Sequence, residues 1–431
     1  MNKKQLLALM TVCLATASCG GGGSSSTTTT PTQEITYLND YMREWYLWYR
    51  DMPNPNLTNF ASVEKALSGL VVSQDRFSNI TSAAEADAFF DEGSLIAFGV
   101  SYDIGASTLA IKQIQPNSPA QLAGMLRGDA ISAIDGTSVP ELITANSVSD
   151  AFGAIEVGVM RTLTVIRGTQ TLNFKLTKAQ FSLVNVPIAK TFNVANRVVG
   201  YAVFNQFTTP SLSEWRSELG KLKQQGASEI IVDLRFNGGG LVTISAAASA
   251  ALIPATGAGK TFAQLNFNDK NTARNTNTPF PIEALAGSFS SVTFLTSART
   301  CSAAEEMIVG VLPYVAANKV KIIGEKTCGK PVGFTAPTFN GKKYNIVTFR
   351  SSNSAGKTDY FDGLKPDCAA LDDFSKPLGD VNESQLAAAL AYLEKGTCSA
   401  VAATQLQGKA FSSQSAATIP VNGLVRQTDI Y

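Results

Sequence analysis

The chain reads as a multidomain α/β protein, with an N-terminal helical region, a β-rich domain and a larger domain in which strands and helices alternate. Three observations predict this. Apolar and aromatic residues recur at roughly helical spacing in Tyr37-Leu-Asn-Asp-Tyr-Met-Arg-Glu-Trp-Tyr-Leu-Trp-Tyr49. Short strand-like runs separated by turns follow: Phe98-Gly-Val-Ser-Tyr102, Leu109-Ala-Ile-Lys-Gln-Ile114 and Leu163-Thr-Val-Ile-Arg167. From residue 190 onward, buried-type strands alternate with helical segments.

The N-terminus carries a secretory leader over residues 1–18. Met1-Asn-Lys-Lys4 is basic, and Leu6 to Ala17 is apolar but too short for a retained membrane span. The small residues of Thr16-Ala-Ser-Cys19 resemble a bacterial lipobox, which implies cleavage before Cys19 and lipidation of its thiol. The other reading is an ordinary leader with an incidental cysteine. Residues 19–33 form a Gly/Ser/Thr tether that has no capacity for a core. Gly20, rather than an aspartate, follows the cysteine. Resemblance to bacterial lipoproteins therefore implies a cell-envelope protein, lipid-anchored in the outer membrane and facing the periplasm.

Residues 34–90 read as helical, with Pro53 and Pro55 ending the first run and Asp75-Arg-Phe-Ser78 closing the region. Its aromatic stripe is expected to be core packing. Residues 91–180 read as the β-rich domain. Within it, Pro116-Asn-Ser-Pro-Ala-Gln-Leu-Ala-Gly-Met-Leu-Arg-Gly-Asp-Ala-Ile-Ser-Ala-Ile-Asp-Gly136 resembles a PDZ domain in the circularly arranged form of bacterial proteases. That resemblance implies capture of a peptide C-terminus by strand addition, with the loop at Phe98, Gly99 and Val100 receiving the carboxylate. A small β-domain with a purely structural role is the alternative. Residues 190–400 carry the strands Val198–Phe204, Glu229–Leu234, Val292–Thr296 and Val320–Gly324, with helices at Ser211–Gln225 and about Val242–Leu252. Residues 401–431 are a polar, weakly patterned tail.

Composition narrows the chemistry. The 431 residues include no histidine, which excludes serine or cysteine hydrolases built on imidazole and most zinc enzymes. The net charge of +1 offers no electrostatic case for nucleic acid. No metal-ligand spacing appears, and neither metal nor cofactor is expected. Cys301, Cys328, Cys368 and Cys398 fit an oxidising compartment and allow three pairings; free thiols are the alternative. The preferred pairing is Cys301–Cys328 with Cys368–Cys398, the first of which would tie two segments of hydrolase character together.

Those segments are Thr296-Ser-Ala-Arg-Thr-Cys-Ser-Ala-Ala-Glu305 and Gly324-Glu-Lys-Thr-Cys-Gly-Lys330. If Ser302 is a nucleophile, its base must be something other than histidine, and Lys330 is on offer. Lysine removes a proton only as a neutral amine, so it must be buried to lower its pKa. The Gly and Pro neighbours of Lys330 suit burial, with Ile322, Ile323 and Phe334 as expected walls and Glu325 as a candidate partner. The Ala303 amide, at the start of a helix running to Leu312, and an amide of the glycine run, Gly239 over Gly238, would form the oxyanion hole. Ser302-Ala-Ala-Glu305 also fits a capping box, in which the hydroxyl merely caps the helix. Ser297 is the fallback nucleophile, while Asp233 and Arg235 are expected to close the strand-to-loop turn.

Four motifs in order carry a family resemblance: Asp233-Leu-Arg-Phe-Asn-Gly-Gly-Gly240, Cys301-Ser-Ala-Ala-Glu305, Gly324–Lys330 and Gly363-Leu-Lys-Pro-Asp367. Together they resemble the C-terminal processing peptidases, or tail-specific proteases. The resemblance implies a ClpP/crotonase-like catalytic core and a serine endopeptidase with a Ser302/Lys330 dyad. Its substrates would be proteins or peptides with free C-termini, captured by the PDZ domain. Two departures stand out. Phe334 occupies the place, four residues after the lysine, where many members carry an orienting glutamine. The serine-rich run is altered at Arg299, Thr300, Cys301 and Ala304. A Cys301–Cys328 bridge would serve as a substitute positioning device. Two rival readings are a catalytically silent PDZ lipoprotein that binds peptide tails and a hydrolase of small amides or esters.

Overall fold

The computed structural model describes residues 31–398. The leader, Cys19, most of the tether and the polar tail lie outside the described residues. The first helix, Pro31–Trp45, starts inside the segment assigned above to the tether. Proline suits a first helical turn because its missing N–H would have no partner there.

The N-terminal region is helical as its sequence suggests, Ala83–Asp87 included, and it also takes part in a sheet. Beyond Pro31–Trp45 and Val63–Leu70, it contributes a strand, Asn79–Ser82, paired antiparallel with Lys342–Asn345. Ile35, Leu38, Met42, Leu67 and Leu70 share one core with Val332, Tyr344, Ile346 and Val347. Residues nearly three hundred positions apart are therefore needed to bury one helix face. The aromatic stripe packs against that core as expected.

The β-rich unit builds an antiparallel sheet in the order Val100–Ile104, Leu109–Ile114, Ala130–Ile134, Met160–Arg167, Gln170–Thr177. Its period-two pattern buries Val100, Leu109, Ile111, Ile131, Leu163 and Val165 around Phe98 and Phe152. A two-stranded ribbon, Ser94–Ala97 with Ala179–Ser182, joins the unit to the rest.

A six-stranded sheet forms the α/β core, in the order Ala189–Val194, Arg197–Val203, Glu229–Asp233, Val292–Thr296, Val320–Gly324, Cys368–Ala369. Only the first pair is antiparallel. Both faces are covered. Ile230 and Val232 pack under the helices Ser211–Gln224, Val242–Ser249 and Ala303–Val311, whereas Ile231 faces Leu386 and Ala389 of Ser384–Lys395. A second, four-stranded sheet over residues 261–352 was not anticipated from the sequence.

Beneath the core lies a buried ionic cluster. The Arg235 guanidinium, fully buried, donates to both oxygens of Asp233, to Asp372 at 2.7 Å and to Glu383 at 2.8 Å. Tyr201 donates to Asp233 at 2.7 Å. Asp372 also takes Arg127 from the β-rich unit, so the cluster joins that unit to the core. Removing Arg235 would leave Asp233 and Glu383 without a counter-charge and Asp372 with Arg127 alone. Arg235→Ala is expected to cost about 3–5 kcal/mol, measured by urea unfolding at neutral pH.

Candidate active site

Three adjacent parallel strands deliver the site. Glu229–Asp233, Val292–Thr296 and Val320–Gly324 end on the same side of the sheet, so the loops that follow them converge there. Backbone bonds tie these loops together: Cys301 N–H donates to Asn237 O and Cys328 N–H to Thr300 O, both at 3.0 Å. Ser297, the fallback nucleophile, is buried and donates its hydroxyl to the Arg235 carbonyl, which makes it part of this framework.

Ser302 stands at the N-terminus of Ala303–Val311, half-buried, with φ 55° and ψ −121°. Ordinary capping serines in this chain are extended: Ser62, Ser118 and Ser138 have φ of −151°, −77° and −69° and ψ of 163°, 159° and 150°. A non-glycine residue held at positive φ stores strain, and such strain collects at functional sites.

The carboxylate of Glu305 holds the two segments together. Oε2 accepts from the amide of Ser302 at 3.0 Å and from the amide of Lys330 at 2.8 Å. Oε1 accepts from the Gly329 amide at 2.8 Å and from the Thr327 hydroxyl. Burial pushes the pKa of Glu305 up, and these four donors oppose the rise. The Cys301–Cys328 disulfide makes the same connection covalently, with a Cα–Cα distance of 5.2 Å. Cys368–Cys398 ties the last strand to the end of the final helix. Both bonds follow the preferred pairing. Cys301, Glu305 and Cys328 form a cluster of metal-ligand types, but the two sulfurs are bonded to each other.

Lys330 is only 6 % exposed. Desolvation lowers its pKa to about 8, opposed by Asp75, Glu305 and Glu306. Glu325, the acid expected from the sequence, instead interacts with Asp372, Asp103, Lys112 and Arg235. Two expected walls also lie elsewhere: Ile323 packs with Cys368 and Leu386, and Ile322 packs against the helix-covered face. Phe334 does lie beside the amine, joined by Phe77 from the N-terminal region.

Gly239 has φ +109°, and a Cβ there would meet the Ser302 Cβ at 2.8 Å. This close approach requires glycine. Its N–H is donated to Asn237 Oδ1 at 2.9 Å. Neither the Gly238 nor the Ala303 N–H has a hydrogen-bond partner among the described residues. The glycine run thus reaches the serine as expected, but its free donor is Gly238.

The loop Phe98, Gly99 and Val100 lies in the β-rich unit. Phe98 is fully buried, Gly99 has φ +91° against Ser118, and Val100 opens the edge strand. Arg299, three residues before Ser302, donates to the Tyr102 carbonyl of that strand at 2.6 Å.

Residues 198–370 match peptidase family S41, and residues 33–79 match the peptidase S41 N-terminal domain, together more than half of the chain. The chain belongs to peptidase family S41. The two S41 segments contain Gly238, Ser302, Glu305, Lys330 and Phe77. Proteins described as CtpA-like serine proteases of Staphylococcus aureus are 25% identical over 306 residues, 70% of this chain. That match spans 58% of their length. A similar protein of Staphylococcus epidermidis is 25% identical over 341 residues, covering 78% of this chain and 64% of the relative. Among solved structures, one assigned to the S41 proteases from Bacteroides fragilis superposes with a TM-score of 0.66 at 27% identity, covering 84% of this chain and 97% of that one. The photosystem II D1 C-terminal processing protease shares the fold, with a TM-score of 0.52 at 19% identity, covering 79% and 93% of the two chains.

Sequence reading missed the bridging role of Glu305, although its place in the Ser-x-x-Glu motif was a signal. It also missed Asp75 and Phe77, for which the sequence offers no local signal. Replacing Glu305 would orphan several buried donors at once. Glu305→Ala is expected to lower the unfolding free energy by about 3 kcal/mol or more, with Glu305→Gln intermediate, as read from denaturant midpoints.

Proposed function

We propose that this S41 member is a serine endopeptidase in which Ser302 is the nucleophile and Lys330 its general base. The observation that carries this reading is the backbone of Ser302, bent to positive φ at a helix N-terminus and joined through Glu305 to a buried lysine of lowered pKa. In the first step the neutral Lys330 amine takes the hydroxyl proton as Oγ bonds to the scissile carbonyl carbon. The N–H groups of Ala303 and Gly238 receive the charge developing on the carbonyl oxygen. Lys330 returns the proton to the leaving amine as the C–N bond breaks. It then deprotonates the water that hydrolyses the acyl-enzyme.

The β-rich unit serves as a PDZ module in this proposal. A substrate tail adds to the edge strand Val100–Ile104, with its carboxylate at the Phe98–Gly99–Val100 loop. Substrates are unstructured or C-terminal regions of envelope proteins. The leader and Cys19 support lipid anchoring there, in the outer membrane facing the periplasm, and the two disulfides fit an oxidising compartment.

The decisive test is cleavage of an unfolded protein across pH. The neutral amine is the reactive form, so kcat/KM is expected to rise with pH and level off above about 8. Lys330→Met is expected to lose at least about 10²-fold in rate together with that rise, and Ser302→Ala to be inactive. Activity surviving Ser302→Ala would refute the nucleophile. No wild-type cleavage, with retained binding of peptide tails, would point to the silent PDZ reading. A Cys301→Ser/Cys328→Ser pair is expected to lower kcat more than it changes KM, because it loosens the dyad rather than the tail site.

A further inference from the structure

We propose that Phe334 and Phe77 form an aromatic seat that orients the Lys330 amine, taking the part that the family resemblance gives to a glutamine. The inference rests on the peptidase reading of Ser302 and Lys330. The Lys330 Nζ lies 4.5 Å from the ring centroid of Phe334 and 5.8 Å from that of Phe77. Among the described residues it has no hydrogen-bond acceptor and no ion-pair partner. An ammonium placed over ring faces is attracted by their quadrupoles even where carboxylates are out of contact.

Both rings are themselves fixed. Phe334 ends the strand Val332–Phe334, where the pairing with Val347–Ser352 shifts register by one residue, Thr348, on the partner strand. A Cβ at Gly333 would meet the tip of the Phe349 ring at 2.3 Å, so a larger residue there would displace that ring. Phe77 is set by Asp75, whose Oδ1 accepts from the amides of Phe77 and Ser78, each at 2.9 Å. Tyr46 donates to the other Asp75 oxygen at 2.8 Å.

The charged groups facing Lys330 come from two elements besides its own. They are Asp75 of the N-terminal region and Glu305 and Glu306 of the Ala303–Val311 helix. Arg76 donates to the carbonyls of Cys328 and Gly329, so it orders the backbone on which Lys330 sits. The acids set the charge balance of the chamber, while the rings set where the amine points. A glutamine would hold the amine through a single acceptor. Two ring faces hold it by position and leave the nitrogen lone pair free for the serine proton.

The test reads the amine directly, by NMR titration of protein carrying lysine labelled with ¹³C at Cε, the Lys330 signal being assigned by its loss in Lys330→Met. In Phe334→Leu the Lys330 titration is expected to move to lower pH by about half to one and a half units. The rising limb of kcat should follow it, with a lower plateau. Phe77→Leu is expected to shift both in the same direction but less, and Phe334→Tyr to leave both in place. An unmoved or raised titration in both Phe→Leu variants would overturn the aromatic seat, as would a Phe334→Tyr shift as large as that of Phe334→Leu. The NMR titration does not depend on turnover. These shifts in the variants, with no cleavage by the wild-type protein, would overturn the peptidase reading and leave the seat standing.

Discussion

The site depends on one buried carboxylate. Glu305 projects from the helix that Ser302 begins and accepts four hydrogen bonds, two of them from amides in the loop that carries Lys330. A carboxylate has about four acceptor positions, so Glu305 is close to saturated. Those donors come from loops that follow different strands, and Glu305 satisfies them at once. The helix that Ser302 begins and the loop of Lys330 are therefore registered to each other by an anion. The adjacent disulfide repeats the connection without bearing charge.

A second layer of charge lies below. Arg235 follows the strand that ends in Asp233 and precedes the glycine run, so the buried cluster sets where that run leaves the sheet. The β-rich unit meets the core at two charged points: Arg127 on Asp372, inside this cluster, and Arg299 on the Tyr102 carbonyl and Asp103. Both points lie one or two contacts from the serine loop. Position of the β-rich unit and geometry of the site thus draw on the same few side chains.

Much of the core was legible in the sequence. The strands Val292–Thr296 and Val320–Gly324 occur as read, because short β-branched and apolar runs bounded by polar turns leave little ambiguity for buried parallel strands. The β-rich unit followed from simple alternation. Other features were hidden because their causes are not local. Asn79–Ser82 becomes a strand only when Lys342–Asn345 arrives beside it. Phe77 reaches the lysine because the N-terminal region packs on residues far along the chain. Glu305 was visible as a capping residue, but its other three bonds depend on how the loops converge. The free donor in the glycine run could not be chosen without the side chain of Asn237, which occupies Gly239.

The missing histidine has a consequence beyond the choice of base. A histidine-free protein has almost no side chains that change charge between pH 5 and 8 in the ordinary course. Among the described residues, displaced groups in or near this range include Glu306 and Lys112, each moved to about 7, with Lys330 and Lys178 moved to about 8. All four are buried, and Lys330 is the proposed base itself. Burial also raises Glu305, Glu325 and Glu383, so proton uptake near neutrality draws on interior sites. In this chain a calorimetric or potentiometric proton count over that range draws on displaced interior groups.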